Sequence, residues 1–475
     1  MSWAEIVRGS RLPPARLRAA VEALPRRVRA TGRLQKETLV PAHGSAVLRS
    51  LAWRLPPASG VHLSLFQKAP ARSACAALLT LLACSPEAPP GAAAYPRELR
   101  IVAHEDDDLL FMNPDLAESI AAGHPVRTVF LTAGDAGEDA AYWTARESGM
   151  LEAYAAMASV PNSWATSTIQ VTGRTVQVRS LAGLPRVSLV FLRLPDGNAR
   201  GQGFPATDGE SLAGLWSESL EVLHPVDGAP GYTRKELIRL VRGLMTEFQA
   251  QTIDTQDWSG RFHGDHSDHV AAGRIARAAE RGYRGAHTTR VYRGYNQRGE
   301  PLNLLPAQQE LKERIFLAYA AYDGLLCATG ARCAARADYR NFLGRQYPYL
   351  PGALVGPGGK CLEAVRGAVA MRGCRDLPAQ QWSMKGKELE NALGGCLSAP
   401  ERDDGASPLE LTVEACGGRF RQGVSLGADG RLRMTDGSCA TLAVGGPVHG
   451  SEIFETACGD VPVQKWRLYP DASAR

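Results

Sequence analysis

Nowhere in these 475 residues does an apolar run reach membrane-spanning length. The longest, within Ala74–Cys84, holds about ten residues, against the ~20 that a spanning helix needs. Charge of one sign is scarce too. Lys and Arg number 54 against 49 Asp and Glu, a net charge of +5, and much of the excess lies in the arginine-rich first sixty residues. That balance gives no argument for a nucleic-acid partner. Histidine and cysteine are both sparse, at ten each, so their clustering carries information. Three histidines fall between His263 and His269, and six cysteines lie beyond Gly352. What is present in bulk is ordinary: 44% hydrophobic and 22% charged residues suffice for a sizeable core, and the length fits two to four domains.

The chain is organised around Leu99-Arg100-Ile101-Val102-Ala103-His104-Glu105-Asp106-Asp107-Asp108. An apolar run with the character of a buried parallel strand ends there in a histidine and four consecutive acids. Neighbouring carboxylates repel and burial adds to the cost, so a positive partner is expected, a divalent metal first among the candidates. The bland alternative is a solvated acidic turn. Far downstream stands His263-Gly264-Asp265-His266-Ser267-Asp268-His269. The stretch from Asp268 to Gly282 reads as a helix, with His266 and His269 near its first turn; a polar loop or helix cap is the plain alternative. His104 and Asp107 plus one histidine of the second cluster make a two-His, one-carboxylate set with a position open for water.

Together these residues resemble the PIG-L family of zinc-dependent N-acetylglucosamine de-N-acetylases, over roughly residues 97 to 300. The family's His-Pro-Asp-Asp-Glu stands here as His104-Glu105-Asp106-Asp107-Asp108, with the proline and the final glutamate replaced. Its His-x-(Asp/Asn)-His fits in two registers, His263 to His266 and His266 to His269. The later one is preferred, because Val270-Ala271-Ala272-Gly273-Arg274 also looks like the family's helix start. The resemblance implies Zn2+, or another divalent metal, held by His104, Asp107 and His269. It implies Asp106 as general base and His266 as the group that stabilises the oxyanion or protonates the leaving amine. Asp268 would orient a histidine, Asp108 would support the first loop, and Asp135 and Arg146 would line the sugar pocket. A surface salt bridge is the plain alternative for Arg146. His263 belongs to the less favoured register, and Glu105 has no assigned role.

Residues 97 to about 345 alternate strand and helix, as in a Rossmann-like, mainly parallel sheet with flanking helices. Strands are expected at Val126–Thr132, Val187–Leu192 and Arg290–Tyr295, and helices at Ala140–Ser159 and Tyr232–Gln249. Ligands of such folds bind outside the carboxyl ends of the strands, where each motif above falls. Upstream, residues 1–60 lack sustained periodicity and read as disordered or as an extension preceding the mature chain. Residues 61–84 read as an export signal: basic residues precede the short apolar run, and Leu81-Leu82-Ala83-Cys84 looks like a bacterial lipobox with Cys84 as a lipid anchor. A short core helix is the alternative. The Pro/Ala-rich residues 85–96 would be the tether, and 97–350 the deacetylase-like domain. The expected location is exported, as a cell-envelope lipoprotein or a secreted protein.

Residues 351–475 change to short strands, Gly turns and cysteines, and an internal repeat emerges. Cys361 and Cys374 precede Gln380-Gln381-Trp382; Cys396 and Cys416 precede Gln422-Gly423-Val424; Cys439 and Cys458 precede Gln464-Lys465-Trp466. Three such units resemble the ricin-B-type β-trefoil. The resemblance implies disulfides Cys361–Cys374, Cys396–Cys416 and Cys439–Cys458, hence an oxidising compartment, and makes the two tryptophans core residues. Cys327 and Cys333 are expected to form a fourth pair. Sugar-binding members commonly start a unit with Cys-Leu-Asp; here Cys361-Leu362-Glu363 alone keeps a carboxylate, so glycan binding is expected to be weak and to centre on Glu363.

The function expected is metal-dependent hydrolysis of the N-acetyl amide of an N-acetylglucosamine-type amino sugar or glycan, with polysaccharide as a further partner of the trefoil. Two rivals stand beside it. One is another metal-dependent amidase or phosphoesterase on the same scaffold; the other is a non-catalytic carbohydrate-binding surface protein.

Overall fold

The computed structural model describes residues 95–326, 337–400, 409–443, 450 and 452–470. The lipobox with Cys84, and the Cys327 and Cys333 pair, lie outside the described residues. Within them no helix is long and apolar enough to cross a membrane.

In chain order the first elements are β1 (Glu98–Val102), α1 (Asp107–Phe111), α2 (Asp115–Ala122), β2 (Val126–Thr132) and α3 (Ala140–Ala158). The hairpin β3 (Trp164–Val171) and β4 (Arg174–Leu181) follows, then β5 (Val187–Leu194), α4 (Leu212–Ser217) and a small antiparallel pair, β6 (Val222–Leu223) with β7 (Tyr232–Thr233). Next come α5 (Arg234–Phe248), β8 (Thr252–Gln256), α6 (Ser267–Glu280), β9 (Thr288–Tyr292), α7 (Pro306–Ala320) and α8 (Ala337–Leu343). Seven strands form one sheet in the order β3-β4-β5-β2-β1-β8-β9. The five from β5 to β9 are parallel, and the β3–β4 hairpin extends them antiparallel at one edge. The Rossmann-like, mainly parallel sheet is therefore present, and the β3–β4 hairpin is an addition to it.

The period of two along β1 sends its side chains to opposite layers. Leu99, Ile101 and Ala103 pack with Leu240, Leu244, Ala272 and Ile275 of α5 and α6. Val102 packs on the other face with Leu110, Met150, Tyr154 and Phe316. Arg100 departs from the apolar strand that was expected. It is fully buried and neutralised by Glu98 at 2.7 Å and Asp254 at 3.2 Å, while Arg290 reaches the same Asp254 at 2.6 Å. Helix α5 starts at Arg234 rather than Tyr232, because Thr233 caps it reciprocally with Glu236. Strand β9 stops at Tyr292, three residues short of expectation. A Cβ at Gly294 would come within 2.4 Å of Asp265 Oδ1, so the chain there keeps room for that carboxylate.

The C-terminal strands are all antiparallel, in two sheets that share one apolar core including Trp382, Val424 and Trp466. Disulfides join Cys361–Cys374, Cys396–Cys416 and Cys439–Cys458. The repeat is physical as well as textual. Gln380, Gln422 and Gln464 each accept from a backbone N–H just past the second cysteine of the unit, from Arg375, Gly417 and Gly459 at 2.7, 3.0 and 2.6 Å. Each also donates from Nε2 to a backbone carbonyl just before that N–H, of Gly373, Ala415 and Ala457. Both indoles donate to strand carbonyls, Trp382 to Leu362 and Trp466 to Ala440, each at 2.9 Å. This is a β-trefoil.

Candidate metal centre

The carboxyl end of β1 is where the site begins. His104 leaves the strand and its backbone N–H donates to Asp107 Oδ2 at 2.7 Å, folding the acidic run back on itself. Asp106 sits at φ 98°, left-handed backbone that a non-glycine residue adopts only when its surroundings enforce it. The second cluster enters from the loop between β8 and α6. His266 caps α6 and His269 lies in its first turn, so both rings reach the same sheet end. Ring centroids of His104 lie 4.7 Å from His266 and 5.3 Å from His269.

Asp107 spans two histidines: Oδ2 lies 3.3 Å from His104 Nδ1 and Oδ1 lies 2.9 Å from His269 Nε2. Ligand atoms of His104, His266 and His269 lie within 4.8 Å of one another, as do those of His104, Asp196, His266 and Asp268. All of these residues are buried, yet Asp106 Oδ2, Asp268 Oδ1 and His266 Nε2 have no hydrogen-bond partner, and Asp107 Oδ1 and His269 Nε2 face only each other, as an ion pair without hydrogen-bond geometry. Buried polar groups left this way are costly; a cation between His269 Nε2 and the carboxylate oxygens would satisfy those acceptors. The donor set fits a divalent metal.

The charges follow from burial and neighbours. Burial raises Asp107, but the His269 and His104 charges outweigh it and hold the carboxyl well below its ordinary value. His269 is lowered by burial but carried up to about 9 by Asp107 and Asp265. Burial pushes Asp106 well up, against the Arg146 charge; a bound dication would favour its carboxylate instead. Burial, then the His104 and His269 charges, depress His266 and keep its ring neutral. The Asp268 N–H donates to His266 Nδ1 at 3.2 Å, which leaves the ring proton on Nε2.

The remaining predicted residues fall as follows. His263 is exposed and stands apart from the cluster. Asp268 Oδ2 lies 3.2 Å from His104 Nε2 and accepts the Gly197 N–H at 2.7 Å. Asp108 accepts from the Tyr154 hydroxyl beneath the loop, and burial pushes it up to about 7. Asp135 accepts backbone N–H groups of Asp196 and Gly137 at 2.7 and 3.0 Å, so it anchors the loop after β5. Arg146 is buried and spends its donors on Gly134 O, Glu105 O and the Tyr319 hydroxyl, with Asp106 at 3.5 Å. Gly134 is obligatory there, since its φ is 51° and a Cβ would meet Arg146 Nη1 at 2.0 Å. Glu105 is buried beside this guanidinium at 3.9 Å, and burial pushes it up to about 8.

Three residues of the site have no role assigned from the sequence. Asp196 comes from the end of β5 and joins a ligand group; its position at a strand end was the available signal. Asp265 Oδ1 lies 2.7 Å from His269 Nδ1 and accepts the Tyr295 N–H at 2.9 Å. A carboxylate on the far nitrogen of a metal-site histidine fixes its tautomer and ring orientation. Tyr295 places its ring 4.9 Å from that of His269, and no local signal announces it.

In the trefoil, Glu363 donates nothing and accepts from Gln380 Nε2 at 2.6 Å; Ser398 and Thr441 take the same place opposite Gln422 and Gln464, at 3.1 and 2.9 Å.

The family model described as PIG-L: GlcNAc-PI de-N-acetylase matches residues 99–280. No curated protein matches the chain. Among solved structures, a conserved protein from Thermus thermophilus is 19% identical, covering 53% of this chain and 92% of that one, with a TM-score of 0.29. An agglutinin from Abrus precatorius is 17% identical, covering 25% of this chain, with a TM-score of 0.23; the match spans 46% of the agglutinin chain. The β-trefoil lectin of the Vibrio vulnificus hemolysin/cytolysin, solved with N-acetyl-D-lactosamine bound, is 21% identical, covering 24% and 89% of the two chains, with a TM-score of 0.20. Residues 99–280 are a PIG-L deacetylase domain, and the chain continues into a β-trefoil with the ricin-B-type Gln-x-Trp repeat.

Proposed function

We propose that the protein hydrolyses the N-acetyl amide of an N-acetylglucosamine-type amino sugar or glycoconjugate, using a divalent metal, Zn2+ by preference, held by His104, Asp107 and His269. The observation that carries this is the buried cluster of His104, His266 and His269 with Asp107 against two of them, and with Asp106 Oδ2 and His266 Nε2 left without hydrogen-bond partners, inside a PIG-L domain. A bound Zn2+ supplies a water of lowered pKa, near 7, and polarises the acetyl carbonyl. Asp106 then accepts the proton of the attacking water at Oδ2. His266 donates from Nε2 to the oxyanion as the carbonyl becomes tetrahedral. The C–N bond breaks, the proton passes to the amine, and acetate and the free amino sugar leave. Asp268 steadies His104, and Asp135 and Arg146 shape the pocket wall from behind.

The trefoil is proposed to add weak glycan contact through Glu363, in competition with Gln380 for the same carboxylate. Three disulfides support export, and attachment through a lipid at Cys84 belongs to the same proposal; mass spectrometry of native protein should find a mature start at or near Cys84. The functional test is a screen for acetate release from N-acetylated sugars and oligosaccharides with added zinc. Acetate is the expected product. Zinc-loaded protein that releases phosphate from esters, or cleaves other amides but no acetylated sugar, overturns the reading.

A further inference from the structure

The family match ends at residue 280, yet both segments that carry the metal-site residues are held by residues beyond it. Asp265 lies on the loop between β8 and α6. Three residues earlier, the Phe262 ring meets Tyr349 at 5.3 Å and Tyr469 at 5.9 Å, and these two tyrosines stand 5.1 Å apart. The Arg293 guanidinium lies over Phe262 at 3.9 Å and donates to Asn296 Oδ1 at 3.1 Å. Asn296 in turn donates to Asp265 Oδ2 at 3.3 Å. Tyr469 belongs to the end of the trefoil, where its N–H bonds Ala353 O at 3.0 Å.

The second hold is ionic. Lys360, one residue before the first trefoil cysteine, is buried and donates to Asp115 and, at 2.6 Å, to Glu118. Both acids lie on α2, which follows directly on the helix that bears Asp107. Asp115 also accepts from the Tyr292 hydroxyl at 2.7 Å and, through its N–H, donates to Gln346 at 3.1 Å. A module tethered only for targeting would meet its neighbour through a small and polar interface. Here a buried ammonium and a closed aromatic cluster cross the seam.

We infer that the β-trefoil is a positioning element of the metal centre: Tyr469 holds the loop of Asp265, Lys360 holds the helix after Asp107, and losing either contact weakens metal binding while the sheet stays folded. This rests on the metal reading above. Partners one shell out from a metal typically govern its affinity by 10–100-fold, so an effect of about tenfold is expected for a hold one step further away.

The test uses the full chain and measures zinc affinity by competition with a chromophoric chelator, beside thermal unfolding. Tyr469→Ala and Lys360→Met should each weaken zinc binding about tenfold. Tyr469→Phe, which keeps the ring, should bind as the wild type does. Leu397→Ala, in the separate apolar core of the trefoil, should lower thermal stability and leave affinity unchanged. If Tyr469→Ala does not fold, Tyr469→Leu and Lys360→Met decide by the same criterion. Unchanged affinity in both seam variants, or an equal loss in Leu397→Ala, overturns the inference. A wild type that binds no zinc removes the metal reading itself, and the inference with it.

Discussion

The carboxyl end of the sheet and the glutamine corners of the trefoil both bury polar side chains, and they treat them oppositely. Gln380, Gln422 and Gln464 are nearly inaccessible, and each finds an N–H on one side and a carbonyl on the other. At the sheet end, His266, Asp106 and Asp268 are as deeply buried with atoms left over, and Asp107 and His269 have only each other at 2.9 Å. A buried polar group with all partners in place fixes a structure; one without them specifies something still to come. The trefoil corners are scaffolding. The sheet end carries a His/Asp group that could hold a metal.

That contrast can be broken most severely at the metal. Asp107→Ala or His104→Ala should remove both bound zinc and acetate release, because a catalytic zinc has typically three protein ligands to lose. Metal analysis beside an activity assay checks this, and full retention of zinc in either variant would mean that the unpartnered atoms serve another purpose. Asp106→Asn should keep the metal and lose about 10²–10⁴-fold in turnover, the range for a positioned general base. A turnover within a few-fold of wild type would move the base elsewhere in the site.

Stability effects come next in size. The three disulfides close separations of 13, 20 and 19 residues, and each such bridge is typically worth ~2–4 kcal/mol. Reduction should therefore melt the trefoil before the sheet, seen as two transitions in calorimetry, and zinc affinity should fall with the first of them. A single unchanged transition after reduction would contradict the ordering.

The smallest effect is on pH dependence at the seam. Burial raises Asp115, but the Lys360 charge, then that of Arg290, outweighs it and holds the carboxyl below its ordinary value. Burial lowers Lys360, but Asp115 and Glu118 outweigh it and raise the ammonium. The depressed carboxyl contributes stability above its unfolded pKa of ~3.9, lost as pH falls through the folded value. The raised lysine contributes stability below its unfolded pKa of ~10.4, lost as pH rises through the folded value. The pair should thus be fully effective between about pH 5 and pH 9. In melting curves across pH, Lys360→Met should lose less stability on acidification than the wild type; an identical acid limb would show that the pair does not couple to folding.

Much of this was legible where residues of one kind sit close in sequence. His104 to Asp108, His266 to His269, and the three cysteine pairs with their glutamines all declare themselves locally, and β2, β5 and α3 follow from periodicity. Topology supplied the remainder. Asp196 and Tyr295 are single residues on separate loops, meeting the histidine cluster only because β5, β8 and β9 end on one side of the sheet; Asp265 stands inside the His263–His269 stretch and is local to His269. The β3–β4 hairpin escaped because much of it faces solvent, although Thr172-Gly173 at its tip, with φ of 50° and 82°, carried a turn signal. Lys360 and Tyr469 have no motif at all; their roles exist only once two domains are packed. Arg100 shows the converse, a charge inside an apolar run, admitted because Glu98 and Asp254 lie within reach.

The central claim is that the later histidine register, with His104 and Asp107, holds the metal that drives de-N-acetylation. Zinc stoichiometry of wild type, His263→Ala and His269→Ala, measured with acetate release from an N-acetylated sugar in the same preparations, tests it most directly. The account predicts about one zinc per chain and full activity in the first two, and neither in His269→Ala. Stoichiometric zinc in His269→Ala together with its loss in His263→Ala would contradict it.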